Sequence, residues 1–232
     1  ASPMIPLRMP MAVMPIWIVD RKRVREFRFD DTPAANGGVK QDGGTFAAIN
    51  YARMARLRPV TGYPGTWDWT EGVNHPQDDG LFVVDVKSGT RKLIVSFRQM
   101  RDALVKKYPH IDDRALFLNH TLWNREGDRI FFFVRADFND PKRRVNIPMT
   151  VKPDGAELVE QRIFIGGHPE WDFKSRMLGR VEDKLVVYDT LKQELVDTIG
   201  GPEMFRDPEG DTALSRDGRL IVNGATTGAT MH

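Results

Sequence analysis

The chain of 232 residues contains no cysteine, which excludes disulfide bonds, thiolate metal ligands and cysteine nucleophiles. It has little net charge: 34 Lys and Arg residues face 32 Asp and Glu residues, and the balance of +2 gives no electrostatic reason to expect nucleic-acid binding. Long apolar runs are also missing, since the stretch MPMAVMPIWIVD is interrupted by Pro10 and Pro15 and ends in charge. This stretch is too short to span a bilayer and lacks the basic start of a signal peptide, so we expect no membrane span.

Several catalytic and nucleotide-binding motifs are absent as well. The sequence has no G-x-S-x-G elbow, no P-loop, no G-x-G-x-x-G and no H-E-x-x-H. Serine hydrolases, nucleotide-dependent enzymes and zincins therefore find little support. Helical periodicity is scarce too. The best candidate is RQMRDALVKKY, which Pro109 would stop, and it predicts one helical insertion near 98–107.

Short runs of β-favouring residues, separated by turn residues, make up most of the chain. Four of the strongest are LFVVDV, RIFFFVR, KLVVYD and RLIVNG. A polar turn followed by a strong strand recurs after Trp123, Trp171 and Leu214, which are 48 and 43 residues apart. Four-stranded units that recur about every 40–50 residues are typical of β-propeller blades. A β-sandwich also consists of short strands, but it has no reason to repeat this order.

We therefore predict an all-β fold, a β-propeller with four-stranded blades. Residues 1–232 are interpreted as a single propeller domain that is an incomplete copy of a larger propeller; the alternative is that the two ends close a small ring of roughly four blades. Blade-like units are expected near 36–97, 117–165 and 167–200, with half-blades at the two ends. A loop rich in Pro, Gly and Trp lies near 59–80, and long ordered loops are more often functional than decorative.

Polar residues occupy one equivalent position of the repeat, three residues before each inner-strand marker. They are His120, His168, Asp211 and, in the weakest copy, Asn36. Inner strands of a propeller surround its central channel, so we expect these side chains to converge at the channel mouth. Imidazole and carboxylate groups there would suit a divalent metal such as Mn²⁺, Zn²⁺ or Ca²⁺. The alternative is that each polar residue caps its strand or binds channel water.

The repeat makes a more specific prediction for His168. We expect its side chain to lie close to His120, with Asp211 on the following blade. Trp171, three residues further on, should lie on the opposite face of the strand and pack between blades. Gly166 and Gly167, just upstream, would let the entering chain turn sharply onto the inner strand.

Two levels of family resemblance follow from these motifs. The turns SRDGRLIVNG and WNREGDRIFFFV are similar to the inner-strand turns of TolB-like and WD40-like propellers. The series LNHTLWNREGDRIFFF, GGHPEWDF and GDTALSRDGRLIV, together with NYARMARLRP, resembles bacterial propellers related to oligogalacturonate lyases and ulvan lyases over most of residues 39–225. The resemblance implies that His120 and His168 bind a manganese-type ion, and it favours a periplasmic or secreted location. The chain departs from those relatives at Asp211, where they carry a histidine.

The residue inventory is compatible with lyase chemistry. Elimination across C4–C5 of a uronate needs a cation to neutralise the carboxylate, a base to take the C5 proton and support for the leaving oxygen. Arginine forks bind carboxylates and exposed tryptophans stack on sugar rings, although each can instead belong to a solvated strand edge or anchor a loop. The candidates for catalysis are His120, His168, Arg53, Arg56 and Tyr51, and those for substrate binding are Arg58, Tyr63, Trp67, Trp69 and His75.

Two functions from different classes therefore stand as hypotheses. The first is a metal-assisted polysaccharide lyase that cleaves anionic, uronate-containing oligosaccharides by β-elimination. The second is a non-catalytic TolB-like propeller that serves as a scaffold for a protein or peptide partner. Fold alone does not choose between them, because propellers host many unrelated functions.

Overall fold

A computed structural model describes residues 14–17, 23–29, 34–201, 203–205, 210–224, 226–227 and 230–231. Three antiparallel sheets of four strands dominate these residues, and within each sheet the strands follow one another in chain order. The first sheet consists of β3 (Ala34–Val39), β4 (Thr45–Asn50), β5 (Gly80–Asp85) and β6 (Arg91–Ser96). The second consists of β7 (Phe117–Trp123), β8 (Ile130–Ala136), β9 (Val145–Val151) and β10 (Val159–Glu160). The third consists of β11 (Gly166–Trp171), β12 (Arg176–Val181), β13 (Lys184–Asp189) and β14 (Glu194–Thr198).

Three two-stranded ladders complete the described strands. They are β1 (Met14–Trp17) with β2 (Arg23–Phe27), β15 (Thr212–Leu214) with β16 (Ile221–Asn223), and β17 (Thr226–Thr227) with β18 (Thr230–Met231). A sheet of four sequential antiparallel strands is the blade unit of a β-propeller. The fold is therefore all-β and has the blade construction of a partial β-propeller, as predicted.

The helices lie at the ends of strands in the first blade. Helix α2 (Phe97–Leu104) begins with a capping box, in which the Ser96 side chain accepts from the Gln99 amide and the Gln99 side chain accepts from the Ser96 amide. Helix α1 (Tyr51–Leu57) begins at Asn50, whose side chain accepts from the Arg53 amide. Periodicity did not reveal α1, because two turns are too short to display a pattern. A 3₁₀ turn spans Pro109–Ile111, and no helix among the described residues is long and apolar enough to cross a membrane.

The described residues divide into two compact units. The first unit contains those up to 37 together with 44–119 and 134–146, and the second contains 38–43, 120–133 and those from 147 onward. The core of the first unit includes Phe27, Phe46, Phe82 and Val84, with two of its phenyl rings meeting edge to face. Two clusters of the second unit are formed by Phe131, Phe133, Trp171 and Met177, and by Ile165, Val186 and Tyr188.

The same turn geometry recurs at two places in the chain and explains the repeat seen in the sequence. In the turn after β7, the amide of Asn124 donates to the Arg129 carbonyl and that of Gly127 donates back to Asn124. The turn after β15 repeats both bonds with Ser215, Leu220 and Gly218. Gly127 and Gly218 have φ values of 70° and 72°, a left-handed conformation that glycine adopts without steric cost.

Candidate functional site

The two histidines of the repeat lie side by side in the second unit. His120 on β7 and His168 on β11 have ring centroids 4.9 Å apart, with 31° between the ring planes. The Nδ1 atom of His168 contacts the Asp211 carboxylate directly, and the His120 ring also meets Phe133 edge to face. We call His120, His168 and Asp211 the histidine cluster. The equivalence of these positions in the sequence thus corresponds to proximity in the structure.

Both histidines have an unusual backbone conformation. The φ angles are 55° at His120 and 39° at His168, in the left-handed region that side chains with a Cβ seldom adopt. In β11 the strand register is also irregular between Gly166 and Glu170. Such strain tends to persist where the surrounding structure holds it in place, often at functional sites. The same strained conformation thus orients both imidazoles.

A tryptophan three residues after each histidine anchors its strand. Trp171 is 1% exposed, packs on Phe131 and Phe133 of β8, and donates through Nε1 to the Leu122 carbonyl at 2.9 Å. Trp123 donates in the same way to the Gly38 carbonyl at 3.1 Å. Trp171 is therefore buried between successive blades, as expected. Burial of these rings gives the histidine-bearing strands a rigid support.

The histidine cluster is open to solvent. The side chain of His168 is 55% exposed and that of Asp211 is 83% exposed. A carboxylate on one imidazole nitrogen orients the ring and leaves the other nitrogen available to accept a proton. The arrangement can therefore serve acid–base chemistry on a ligand that approaches from solvent.

The side chains of the histidine cluster are also the predicted metal ligands. Two imidazoles and a carboxylate are ligands that Mn²⁺ and Zn²⁺ accept. Within the part of the chain that the structure describes, however, no group of three or more His, Cys, Asp or Glu residues is arranged to hold a metal ion. Asn36, the fourth predicted ligand, lies in β3, but its side chain is outside what the structure describes. The metal site stays a prediction.

Arg53 occupies a different setting, in the interior of the first unit. It is 0% exposed, and its guanidinium donates to Thr70 Oγ1 and to the carbonyls of Val73, Asn74 and Leu116 at 2.5–3.0 Å. Burial lowers the pKa of Arg53 to about 10, with nearby carboxylates partly opposing the shift. The hydrogen bonds to residues 70–74 show that Arg53 holds that part of the loop against α1.

Two carboxylates beside Arg53 form a buried network with Asn50. The Asn50 side chain donates through Nδ2 to Asp68 and to Asp79 at 3.0 Å each, and Arg56 binds Asp68 through Nε and a terminal nitrogen at 2.8 Å. Burial raises the pKa of Asp79 to about 6, although hydrogen bonds and Arg53 oppose the rise. Burial also acts to raise the pKa of Asp68, but hydrogen bonds from Thr70, Arg56 and Asn50 bring it below its ordinary value. Arg56 is therefore paired with a protein carboxylate.

Aromatic residues predicted to bind substrate differ in exposure. Tyr63 and Trp67 are exposed, whereas Trp69 is half-buried. The rings of Tyr51 and Tyr63 lie 5.0 Å apart, and burial together with Tyr63 raises the pKa of Tyr51. Tyr63 and Trp67 therefore offer accessible faces for stacking.

His75 and Arg58, which were also predicted to bind substrate, contact other residues of the first unit. His75 is half-buried, and its Nε2 lies 3.0 Å from the Ile111 carbonyl. Burial lowers the pKa of His75. Arg58 ends α1, and its guanidinium carbon lies 4.4 Å from the centroid of the Phe138 ring.

Sequence reasoning missed a cleft in the second unit. It has a volume of about 400 Å³, and its lining includes Val39, Trp123, Arg125, Glu170 and Arg216. The Arg125 guanidinium donates to the carbonyls at the end of β11 and after β15. Burial raises the pKa of Glu170. The turn motif NREG contains Arg125, but only the fold reveals its distant carbonyl partners.

No protein-family model matches the chain, and no curated protein matches it. Among solved structures, it is similar to TolB from Acinetobacter baumannii, with a TM-score of 0.49 and 13% identity over 93% of this chain and 43% of that one. It is also similar to the hydrazine synthase of Kuenenia stuttgartiensis, with a TM-score of 0.48 and 12% identity over 87% of this chain and 58% of that one. This chain thus spans less than two thirds of either structure, and likenesses at this level say nothing about activity or partners.

Proposed function

We propose that the chain belongs to a polysaccharide lyase that cleaves uronate-containing anionic oligosaccharides by β-elimination. The observation that carries the proposal is the contact between His168 and Asp211 beside the His120 ring. Removing the C5 proton of a uronate requires a positioned base, and an imidazole oriented by a carboxylate is such a base. In the proposed reaction His168 accepts this proton, and Asp211 stabilises the imidazolium that forms. The electron pair of the C5–H bond becomes the C4–C5 double bond as the C4–O bond breaks, and the leaving oxygen takes a proton from solvent.

Two features of the histidine cluster support this assignment. Its exposure suits a polymeric substrate that has to reach the base from solvent. Its strained backbone orients both imidazoles without help from the ligand, and preorganised groups contribute most to catalysis. A divalent metal bound at the cluster would neutralise the uronate carboxylate, but it would occupy the imidazole nitrogen that His168 needs as a base, so the proposed proton transfer does not run through a metal. Tyr63 and Trp67 belong to the first unit, and their exposed rings are a separate candidate for stacking on sugar rings.

The test is a lyase assay with variants of the histidine cluster. The chain is incubated with oligogalacturonate and with ulvan oligosaccharides while the ultraviolet absorbance of the unsaturated uronate is followed. His168→Ala is expected to lower the rate about 100-fold or more, since a general base contributes at least that much. His110→Ala is the matched control, because this histidine is exposed and lies outside the cluster. Equal rates for the two variants, or no product from any uronate, would contradict the proposal.

The second candidate function is a non-catalytic binding scaffold, and the cleft of the second unit favours it. The cleft combines apolar Val39 and Trp123 with charged Arg125, Glu170 and Arg216, a mixture suited to a peptide. A peptide or protein partner captured by the chain should then bind less well to Arg216→Glu, and no lyase product should appear. A captured partner that binds the variant equally well would argue against the cleft.

A further inference from the structure

Three arginines of the first unit surround one phenyl ring. The guanidinium carbons of Arg58, Arg135 and Arg144 lie 4.4, 4.5 and 4.8 Å from the centroid of Phe138. Arg58 ends α1, Arg135 lies near the end of β8, and Phe138 and Arg144 belong to the loop between β8 and β9. We call Arg58, Arg135 and Arg144 the arginine cluster. Segments far apart in the sequence thus bring three cations to one place.

Local hydrogen bonds hold the arginine cluster in position. The Arg144 side chain donates through Nε to the Phe138 carbonyl at 3.0 Å, and the Arg144 amide donates to the Asp140 carbonyl at 2.8 Å. Arg135, which is buried, donates through Nε to Asn146 Oδ1 at 2.8 Å. The two side chains are therefore fixed before any ligand arrives, which lowers the entropic cost of binding.

Two members of the arginine cluster, Arg58 and Arg144, lack a carboxylate partner in the described part of the chain. Asp137, which opens the loop, is engaged by Arg114 and Arg143 at 3.1 Å each. Among the residues that the structure describes, no carboxylate pairs with Arg58 or Arg144. Burial, and to a smaller extent repulsion from Arg58 and Arg144, lower the pKa of Arg135 to about 9.

The cluster also contains an unused hydrogen-bond donor. Arg58 Nε is buried and has no hydrogen-bond partner among the described residues, although buried donors of this kind are nearly always paired. Arg144, by contrast, is exposed, so the cluster is accessible from solvent on that side. A small anion entering there would supply both the missing acceptor and the missing negative charge.

We propose that the arginine cluster binds a tetrahedral oxyanion, a phosphate or sulfate group that is either free or esterified on a larger molecule. Guanidinium groups present paired N–H donors that match phosphate and sulfate oxygens. Three cations also fit a dianion better than the single charge of a carboxylate. This proposal does not rest on the lyase function, since no member of the histidine cluster takes part in it.

The test is calorimetric titration of the chain with inorganic phosphate, at constant ionic strength maintained with sodium chloride. Phosphate binding to the wild type is expected, and Arg144→Gln should weaken it about tenfold, as the loss of a charge-assisted hydrogen bond predicts. Arg58→Gln should weaken it similarly. Arg143→Gln is the matched control, because it removes the same charge from the neighbouring position while Arg143 faces Asp137 instead.

A comparison of two phosphate ligands shows whether the site binds an esterified or a free phosphate. Tighter binding of glycerol phosphate than of inorganic phosphate would assign the site to an esterified group, and the reverse order would assign it to the free ion. The proposal is overturned if the wild type does not bind phosphate. It is also overturned if Arg143→Gln weakens binding as much as Arg144→Gln, because bulk charge would then explain the effect. Arg144 is exposed, so its variant decides the matter even if Arg58→Gln does not fold.

Discussion

Arg53 and His168 are both polar residues in settings that suit chemistry, but their surroundings are opposite. Arg53 is 0% exposed, and four acceptors from residues 70–116 surround its guanidinium. The His168 side chain is 55% exposed, contacts the Asp211 carboxylate and sits on a strained backbone. Buried, fully engaged groups hold structure together, whereas exposed and strained groups cost stability and are kept for another reason. The comparison therefore separates residues needed for folding from residues available for function.

The largest effect is expected from removing Arg53. Arg53→Met should lower the free energy of unfolding by about 3–5 kcal/mol, because it leaves buried Asp79 without its nearby cation and several carbonyls without a donor. Urea denaturation followed by circular dichroism measures this change. The control is Arg98→Met, which removes an exposed arginine from α2. Similar stabilities of the two variants would show that the Arg53 hydrogen bonds contribute little. Arg53 and His168 would then not differ in their importance for the stability of the fold.

The sequence allowed the blade architecture to be predicted because strand runs and turns are local features. RIFFFVR marks β8, and the glycine at the same place in each turn marks the repeat. The proximity of His120 and His168 was also predictable, since residues at equivalent positions of neighbouring blades lie near each other. Both inferences depend on periodicity, which a single sequence displays directly.

Burial and long-range pairing could not be read in the same way. Arg53 and Arg56 stand three residues apart in one short helix, yet one is wholly buried and the other pairs with Asp68. Their partners lie 12–63 residues away, and nothing in the local pattern indicates them. The arginine cluster was missed for the same reason, because Arg58 and Arg135 meet only through the fold.

A smaller effect is expected from the ionisation of Asp79. Its pKa is raised to about 6 in the folded chain, mainly by burial, from 3.8 for an ordinary aspartate. The folded state therefore holds a proton that the unfolded state has lost, and stability falls as pH rises from about 4 to 6. Relative to Asp79→Asn, which does not titrate, the wild type should lose roughly 2–3 kcal/mol over that range.

Urea denaturation of wild type and Asp79→Asn at several pH values from 4 to 7 tests this prediction. The opposite contribution of Asp68, whose pKa is lowered, is common to both proteins and cancels in the difference. Parallel stability profiles would mean that Arg53 and Asn50 stabilise the Asp79 carboxylate enough to offset its burial.

The smallest change in the free energy of unfolding is expected from replacing His168. A gain in stability would indicate that the histidine is strained in the folded chain. Glycine adopts a φ of 39° without steric cost, so His168→Gly should raise the free energy of unfolding by about 1 kcal/mol, or leave it unchanged if added flexibility of the unfolded chain offsets the gain. His168→Ala keeps the strain and loses only an exposed contact with Asp211, so it should change stability by less than about 0.5 kcal/mol.

Thermal and urea denaturation of both variants, with His120→Gly for comparison, measure these differences. His120 has a φ of 55° but is half-buried, and its ring packs on Phe133, so its replacement should gain less than that of His168. A loss of more than about 1 kcal/mol in His168→Gly would place this side chain among those that hold the fold, as Arg53 does. A stable His168→Gly protein without lyase activity would show that the strain at this position is maintained for the imidazole and its reaction.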